Sequence, residues 1–234
     1  MRTAAVVALR RVAVAAAGVV SLSACGGGHH LNQYNFSGKT MALVYVERPA
    51  PELLHGSLDL DANDNAIQAV MRAGAGVAKE VVVRRARSRF DSATRRIDID
   101  SLLAVRTLDR ASRYLGTRPT ASVDDADFVL ELQVRSFGVD ARSNNATYLF
   151  SRTEAVLLDR RTGREIWDVN VRASDRLTPS FEGNQNVPSA IVTAATLHQV
   201  RVQDFVEALE QLTTLTSNVI TNELREKLRD ARDR

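Results

Sequence analysis

The chain has 234 residues and a mass of 25.7 kDa, and 44% of its residues are hydrophobic, which excludes a wholly disordered protein. A pI near 9.3 suggests an acidic partner, but Arg2, Arg10 and Arg11 precede Cys25 with no acidic residue among them. Removal of residues 1–24 leaves 28 basic residues against 28 acidic ones, so the mature chain is neutral and nucleic-acid binding is not expected. A single cysteine excludes an internal disulfide and a cysteine-based metal cage.

Residues 1–25 have the layout of an export signal. Arginines precede an apolar run of small residues, Val12 to Val20, which is shorter than the roughly 20 residues that a bilayer-spanning helix needs. The next residues, Leu22-Ser23-Ala24-Cys25, resemble a bacterial lipobox. This resemblance implies that residues 1–24 are a signal peptide and that the Cys25 sulfur is acylated. A plain secretory signal with an incidental cysteine is the alternative.

Acylation of Cys25 would hold the protein at a membrane, because each buried CH₂ contributes about 0.8 kcal/mol and several acyl chains make a stable anchor. By resemblance to lipoprotein sorting in two-membrane bacteria, Gly26 implies the outer membrane, with the domain facing the periplasm. Residues 25–39 are Gly-rich and polar, which predicts the lipidated cysteine followed by a flexible tether. The His29-His30 pair lacks a third ligand, so no metal site is expected there. Residues 40–234 are predicted to form one periplasmic domain.

The first part of that domain is predicted to contain a strand and a helix. Thr40–Val46 is a short β-branched run stopped by Pro49, which is typical of a buried strand. Apolar residues at helical spacing run from Ile67 to Val82. Val81-Val82-Val83 fits the end of this helix or the start of a strand, and periodicity leaves both open.

An arginine-rich stretch is the strongest local charge feature. Six arginines accompany one aspartate between positions 84 and 96, namely Arg84, Arg85, Arg87, Arg89, Arg95 and Arg96. Because an arginine fork matches a phosphate bidentately, one hypothesis is an anion-binding or headgroup-binding site. The alternative is a solvated helix end, which the ratio of 28 arginines to 3 lysines favours, because that ratio indicates codon bias.

A second helix is predicted to begin near Asp100 and to end at Gly116. Its apolar face is predicted to carry Ala104, Leu108, Ala111 and Leu115. Three carboxylates follow, Asp124, Asp125 and Asp127, which could hold a divalent cation but more often keep a turn solvated. The sequence leaves these two interpretations open.

Three strands and a helical end complete the chain. Alternation from Phe128 to Arg135 indicates a half-buried strand, and Ala146–Leu158 with Glu165–Ala173 predicts a hairpin whose turn contains Gly163. Trp167 is predicted to be a core anchor, with ligand stacking as the minority interpretation. The last segment is predicted to be helical, with an apolar stripe of Phe205, Leu209, Leu212, Val219, Leu224 and Leu228. The order of elements predicts an α+β fold with an antiparallel or mixed sheet of about four strands packed against helices.

Catalysis has little support in the sequence. No nucleophile elbow, phosphate-binding loop, zinc-binding helix or C-x-x-C pair occurs, and His55 and His198 are far apart. We therefore expect a protein that is not an enzyme and that needs no cofactor.

The lipobox, the Ala126-Asp127-Phe128 start of a strand and the Leu157–Trp167 hairpin resemble periplasmic α+β lipoproteins, such as the curli-secretion-channel family and the lipoprotein activators of penicillin-binding proteins. The resemblance implies a membrane-anchored envelope protein. A pore is not expected, because strand 146–158 carries polar residues on both faces.

Two functions follow from these observations. The first is a non-catalytic interaction or assembly factor that docks another envelope protein. The second is an auxiliary lipoprotein of an envelope lipid-transport system, with headgroups or phosphates contacting Arg84–Arg96. An apolar cavity beneath the arginines would favour the second function, and a flat exposed apolar patch would favour the first.

Overall fold

The computed structural model describes residues 30–46, 50–55, 84–141, 148–177 and 200–233. A 3-10 turn at Leu31–Gln33 precedes the sheet. The strands are β1 (Thr40–Val46), β2 (Glu52–His55), β3 (Arg118–Pro119), β4 (Phe128–Ala141), β5 (Tyr148–Asp159) and β6 (Glu165–Arg176). The helical segments are α1 (residues 84–96), α2 (Ile99–Leu115) and α3 (Val202–Arg232).

The sheet is mixed, with the strand order β3-β1-β4-β5-β6. β1 lies parallel to the first half of β4, and β2 lies parallel to its second half. β4, β5 and β6 form an antiparallel meander. The α+β class and the mixed sheet are therefore confirmed. The described residues form six strands rather than about four, because the short strands β2 and β3 pair only with residues distant in sequence.

The core lies between one face of the sheet and the helices. Phe128, Leu130, Leu132 and Val134 alternate on that face of β4, and Phe137 continues it after a bulge between Val134 and Ser136. The predicted stripe of α3 is buried except at Val219, which is half-buried beside the buried Ile220. Trp167 is 1% exposed within this core, which confirms its prediction as a core anchor.

Helix α2 has the predicted ends, and its buried face differs from the predicted one at a single position. Asp98 caps its start by accepting a hydrogen bond from the backbone N–H of Ser101, and Gly116 ends it with a φ of 74°. The buried positions are Ile99, Leu103, Thr107, Ala111, Ser112 and Leu115, whereas Ala104 and Leu108 are half-buried. Leu108 packs against the core from its half-buried position, so the predicted face is correct at Leu108, Ala111 and Leu115. The prediction was wrong by one residue at Ala104, because the neighbouring Leu103 takes the buried position.

The predicted tether is also too long. Leu31 and Phe36 are 1% and 4% exposed, and the backbone N–H of His30 donates to the carbonyl of Ile166 at 2.9 Å. Residues 30–39 are therefore packed against the sheet, and the prediction of a flexible tether through residue 39 is wrong for this stretch. The stretch is mostly polar, but two of its side chains, Leu31 and Phe36, are apolar and buried in the core.

Several predictions lie outside the described residues. These are the signal peptide, Cys25, the helix over Ile67–Val82, the open choice at residues 81–83, and His198. None of the described helices combines the length and apolar composition that a bilayer crossing requires.

Candidate functional site

The arginine cluster lies on helix α1. Arg84, Arg85, Arg87, Arg95 and Arg96 are exposed, whereas Arg89 is half-buried and donates through Nη1 to the carbonyl of Val200 at 3.0 Å. Successive helical residues turn by about 100°, so Arg87 lies on the flank opposite Arg85 and Arg96. The arginines therefore form a broad basic surface, suited to an extended acidic partner, and not one pocket around a single phosphate. Anion binding at this surface stays a prediction.

Helix α1 is fixed to one end of the sheet. Its Phe90 ring lies 6.4 Å from the ring of Phe137 and 5.3 Å from that of Phe205, which begins the buried stripe of α3. Phe137 follows Phe128 by nine residues along β4, so these two residues are about 30 Å apart. We call the region of α1 and the start of α3 the α1 end.

The opposite end of the sheet holds the first described residues. Phe36 stacks against Phe128 with ring centroids 4.8 Å apart, and the N–H of Gly38 donates to the carbonyl of Gly116 at 3.1 Å. The β5–β6 turn, residues 160–164, is at the same end because it leads into Ile166, the partner of His30. We call residues 30–39 together with this turn the turn end. Helix α2, about 25 Å long, connects the two ends.

The acidic residues before β4 act as structural ties. The carboxylate of Asp127 accepts hydrogen bonds from the backbone N–H of Thr40 at 2.9 Å and from its hydroxyl at 3.0 Å, and it pairs with Lys39. These bonds, first from the Thr40 backbone and then from its side chain, hold the pKa of Asp127 below its usual value. Asp124 pairs with Arg160 at 2.8 Å. The described residues contain no group of three metal-ligating side chains.

A small apolar cavity lies between the sheet and helices α2 and α3. Its lining includes Tyr45, Leu103, Phe137 and Leu212, and its volume is about 20 Å³. At one wall the hydroxyls of Ser151 and Thr216 bond to each other at 2.7 Å. A cavity of this size has room for about one water molecule, so it does not accept an acyl chain.

The second face of the sheet turns away from the core cluster. Ala42, Val129 and Leu158 form a short apolar row across β1, β4 and β5, and an ion pair between Arg135 and Glu154 lies further along the face. The exposed large apolar side chains among the described residues are three separated valines, Val46, Val105 and Val123. The described surface therefore offers no broad apolar patch.

Arginines in the β5–β6 turn were not among the predicted site residues. Arg160, Arg161 and Arg164 lie in the connection of the predicted hairpin, and all three are exposed at the turn end. The long-range bond between His30 and Ile166 brings this turn beside the first packed residue. No local signal in the sequence reveals that proximity.

Comparisons with known proteins give partial structural likenesses only. No family model matches the sequence, and no curated protein matches it. A DUF330-family protein from Xanthomonas campestris is 13% identical with a TM-score of 0.33, and the match covers 82% of this chain and 90% of that chain.

Two other solved structures resemble this chain to a similarly low degree. A Caulobacter crescentus protein is 17% identical with a TM-score of 0.32, covering 56% of this chain and 83% of that one. A lipoprotein from Neisseria meningitidis is 16% identical with a TM-score of 0.23, covering 69% and 96%. Likenesses with TM-scores this low carry no conclusion about the function of this chain.

Proposed function

We propose that this chain is a lipid-anchored, non-catalytic protein of the bacterial cell envelope that presents a basic surface to another envelope protein. The observation that carries the proposal is the Leu22-Ser23-Ala24-Cys25 sequence, in which the only thiol of the chain stands at the position a lipobox requires. General secretion followed by acylation of Cys25 would leave this residue as the mature N-terminus. An outer-membrane location follows from Gly26 by the sorting resemblance.

The short distance from Cys25 to the packed domain supports a fixed orientation. Four residues, 26–29, separate Cys25 from His30, so the five Cα–Cα steps of a fully extended chain span at most about 17 Å. A domain held so closely has its turn end beside the membrane. The α1 end then faces outward, about 30 Å further along β4.

This orientation favours a protein partner for the arginines of α1. Headgroups of the anchoring membrane lie at the opposite end of the domain from Arg85, Arg87, Arg95 and Arg96. The cavity of about 20 Å³ is too small for a transported lipid. An acidic surface on another envelope protein matches the spread of these arginines and their exposure, because charge complementarity steers association over such distances.

The titratable groups with shifted pKa values support a non-catalytic role. In the described part of the chain these groups are Asp127, which is tied to Thr40, and the pair Arg201 and Asp204 at the start of α3. Hydrogen bonds to Arg201 lower the pKa of Asp204, and the same pairing raises the pKa of Arg201. Each shift has a local structural cause, and none belongs to a cleft where a substrate could sit.

The anchoring is tested with Cys25→Ala, compared with wild type by membrane fractionation and by mass spectrometry of the mature N-terminus. We expect acyl chains on wild-type Cys25, and we expect the variant to leave the membrane fraction with its fold intact by circular dichroism. Retention of the variant in membranes after a high-salt wash would contradict the proposal.

The docking surface is tested by photo-crosslinking in intact cells. A photoreactive residue at position 87 should give a discrete protein adduct, and the same residue at the exposed position 170 on the second face of the sheet serves as the control. Replacement of Arg85, Arg95 and Arg96 by glutamine should abolish the adduct from position 87. An adduct unaffected by that replacement, or adducts with lipid only, would exclude acidic-protein docking at α1.

A further inference from the structure

The β5–β6 turn combines exposed arginines with closeness to the site of membrane attachment. We propose that Arg161 and Arg164 of this turn bind the anionic headgroups of the membrane that carries the Cys25 lipid. This inference rests on the proposed acylation of Cys25. It assigns the headgroup contact to the turn end and leaves the arginines of α1 for a partner away from the membrane.

The reach of the chain puts the turn at the membrane. His30 is fixed to Ile166, and Arg164 is two residues from Ile166 along the chain. The four residues between Cys25 and His30 allow about 17 Å between these two residues at full extension. A membrane-embedded lipid on Cys25 therefore keeps the turn close to the headgroups.

The turn is a rigid support for its arginines. The carboxylate of Asp159 accepts hydrogen bonds from the backbone N–H groups of Arg161 and Thr162 at 2.9 and 3.2 Å. The N–H of Gly163 donates to the carbonyl of Asp159 at 2.8 Å, and Gly163 has a φ of 68°. These bonds hold the backbone of the turn that carries Arg161 and Arg164.

The charges of Arg161 and Arg164 are available for a ligand outside the chain. Arg160 pairs with Asp124, whereas the guanidinium groups of Arg161 and Arg164 form no ion pair with another described residue. Both residues are exposed. Guanidinium groups bind phosphate oxygens bidentately, and a membrane surface rich in anionic lipid attracts basic residues that lie within a Debye length of it.

The test uses the full lipidated protein in vesicles. Thr162→Cys introduces a thiol at the turn, and this thiol is the only reactive one when the sulfur of Cys25 is acylated. A fluorophore on that thiol is exposed to lipids with a nitroxide on the headgroup, in vesicles of phosphatidylcholine alone or with phosphatidylglycerol added. We expect stronger quenching in the anionic vesicles at low salt and a loss of this increase at high salt.

Two charge variants make the test specific. R161Q/R164Q should abolish the increase in quenching caused by phosphatidylglycerol, while the matched variant R85Q/R87Q on α1 should retain it. Equal quenching with and without phosphatidylglycerol, or loss of the increase in R85Q/R87Q alone, would overturn the inference. Mass spectrometry of the same samples separates the two proposals, since a missing acyl chain on Cys25 contradicts the anchoring itself.

Discussion

The two ends of the sheet carry arginines in different structural settings. At the turn end, Arg161 and Arg164 stand on a tight turn that is joined to the first packed residue through Ile166. At the α1 end, arginines surround the exposed side of a helix held by Phe90 in the core. Under the proposed attachment at Cys25, the contrast assigns different partners to the same residue type according to its distance from that attachment.

The largest expected effect comes from removing the core anchor beneath the turn end. Trp167 is 1% exposed and adjoins Ile166, so Trp167→Ala should lower the free energy of unfolding by about 3–5 kcal/mol. Denaturant unfolding followed by circular dichroism measures this loss. Trp167→Phe, which retains an aromatic ring, should cost clearly less, and an unchanged stability of the alanine variant would place the ring outside the core.

The packing of residues 30–39 is tested by Leu31→Ala. Because Leu31 is 1% exposed, its truncation should cost about 2–5 kcal/mol, the usual range for a buried leucine. Asn32→Ala, at the exposed neighbouring position, should change the free energy of unfolding by less than about 0.5 kcal/mol. Equal stability of the two variants would show that residues 30–39 form a flexible tether, and it would contradict the proposed orientation of the domain.

The conformation of the turn is tested by Gly163→Ala. Gly163 has a φ of 68°, and nothing lies within 4 Å of an added Cβ, so the cost should be backbone strain alone, about 1–2 kcal/mol. The unfolding midpoint of the purified protein measures it. Arg161→Ala, which removes an exposed side chain of the same turn, is the control, and a cost greater for Arg161→Ala than for Gly163→Ala would contradict this description of the turn.

The smallest effect concerns the tie between β1 and the loop before β4. The pKa of Asp127 is lowered in the folded state, so its contribution to stability is present above pH 3.8 and is lost as the pH falls through the lower folded pKa. Asp127→Asn should remove this part of the acid dependence. Unfolding measured from pH 7 to about pH 2 checks it, with Asp125→Asn as the control that leaves the Thr40 bonds in place. If the free energy of unfolding of Asp127→Asn depends on pH in the same way as that of the wild type, the bond between Asp127 and Thr40 does not contribute to acid stability.

Local patterns predicted the elements that are defined by the periodicity of their own side chains. The β-branched run at Thr40–Val46 and the hairpin around Gly163 were found with nearly the observed bounds. The strand beginning at Phe128 was predicted to end at Arg135 but continues to Ala141, because the bulge between Val134 and Ser136 interrupts the alternation. A pattern of period two cannot be followed through such a bulge.

Features that depend on contacts between residues distant in sequence could not be predicted from the sequence. Leu31 and Phe36 stand in a polar, Gly-rich stretch, and only contacts with Ile166 and Phe128 show that this stretch is packed. The strongest charge feature, Arg84–Arg96, was visible from composition, but its position far from the turn end was not. Conversely, no local sequence pattern singles out Arg161 and Arg164. Their position beside the first packed residue depends on the hydrogen bond between His30 and Ile166.

The orientation of the domain on its membrane is the central claim, and energy transfer to the bilayer tests it most directly. The lipidated protein carries a donor dye at position 162 or, in a second sample, at position 87, and vesicles of neutral lipid contain an acceptor dye in their headgroups. The account predicts markedly more transfer from position 162 than from position 87, as expected when the two ends are about 30 Å apart along the sheet. Equal transfer from both positions, or more from position 87, would contradict it.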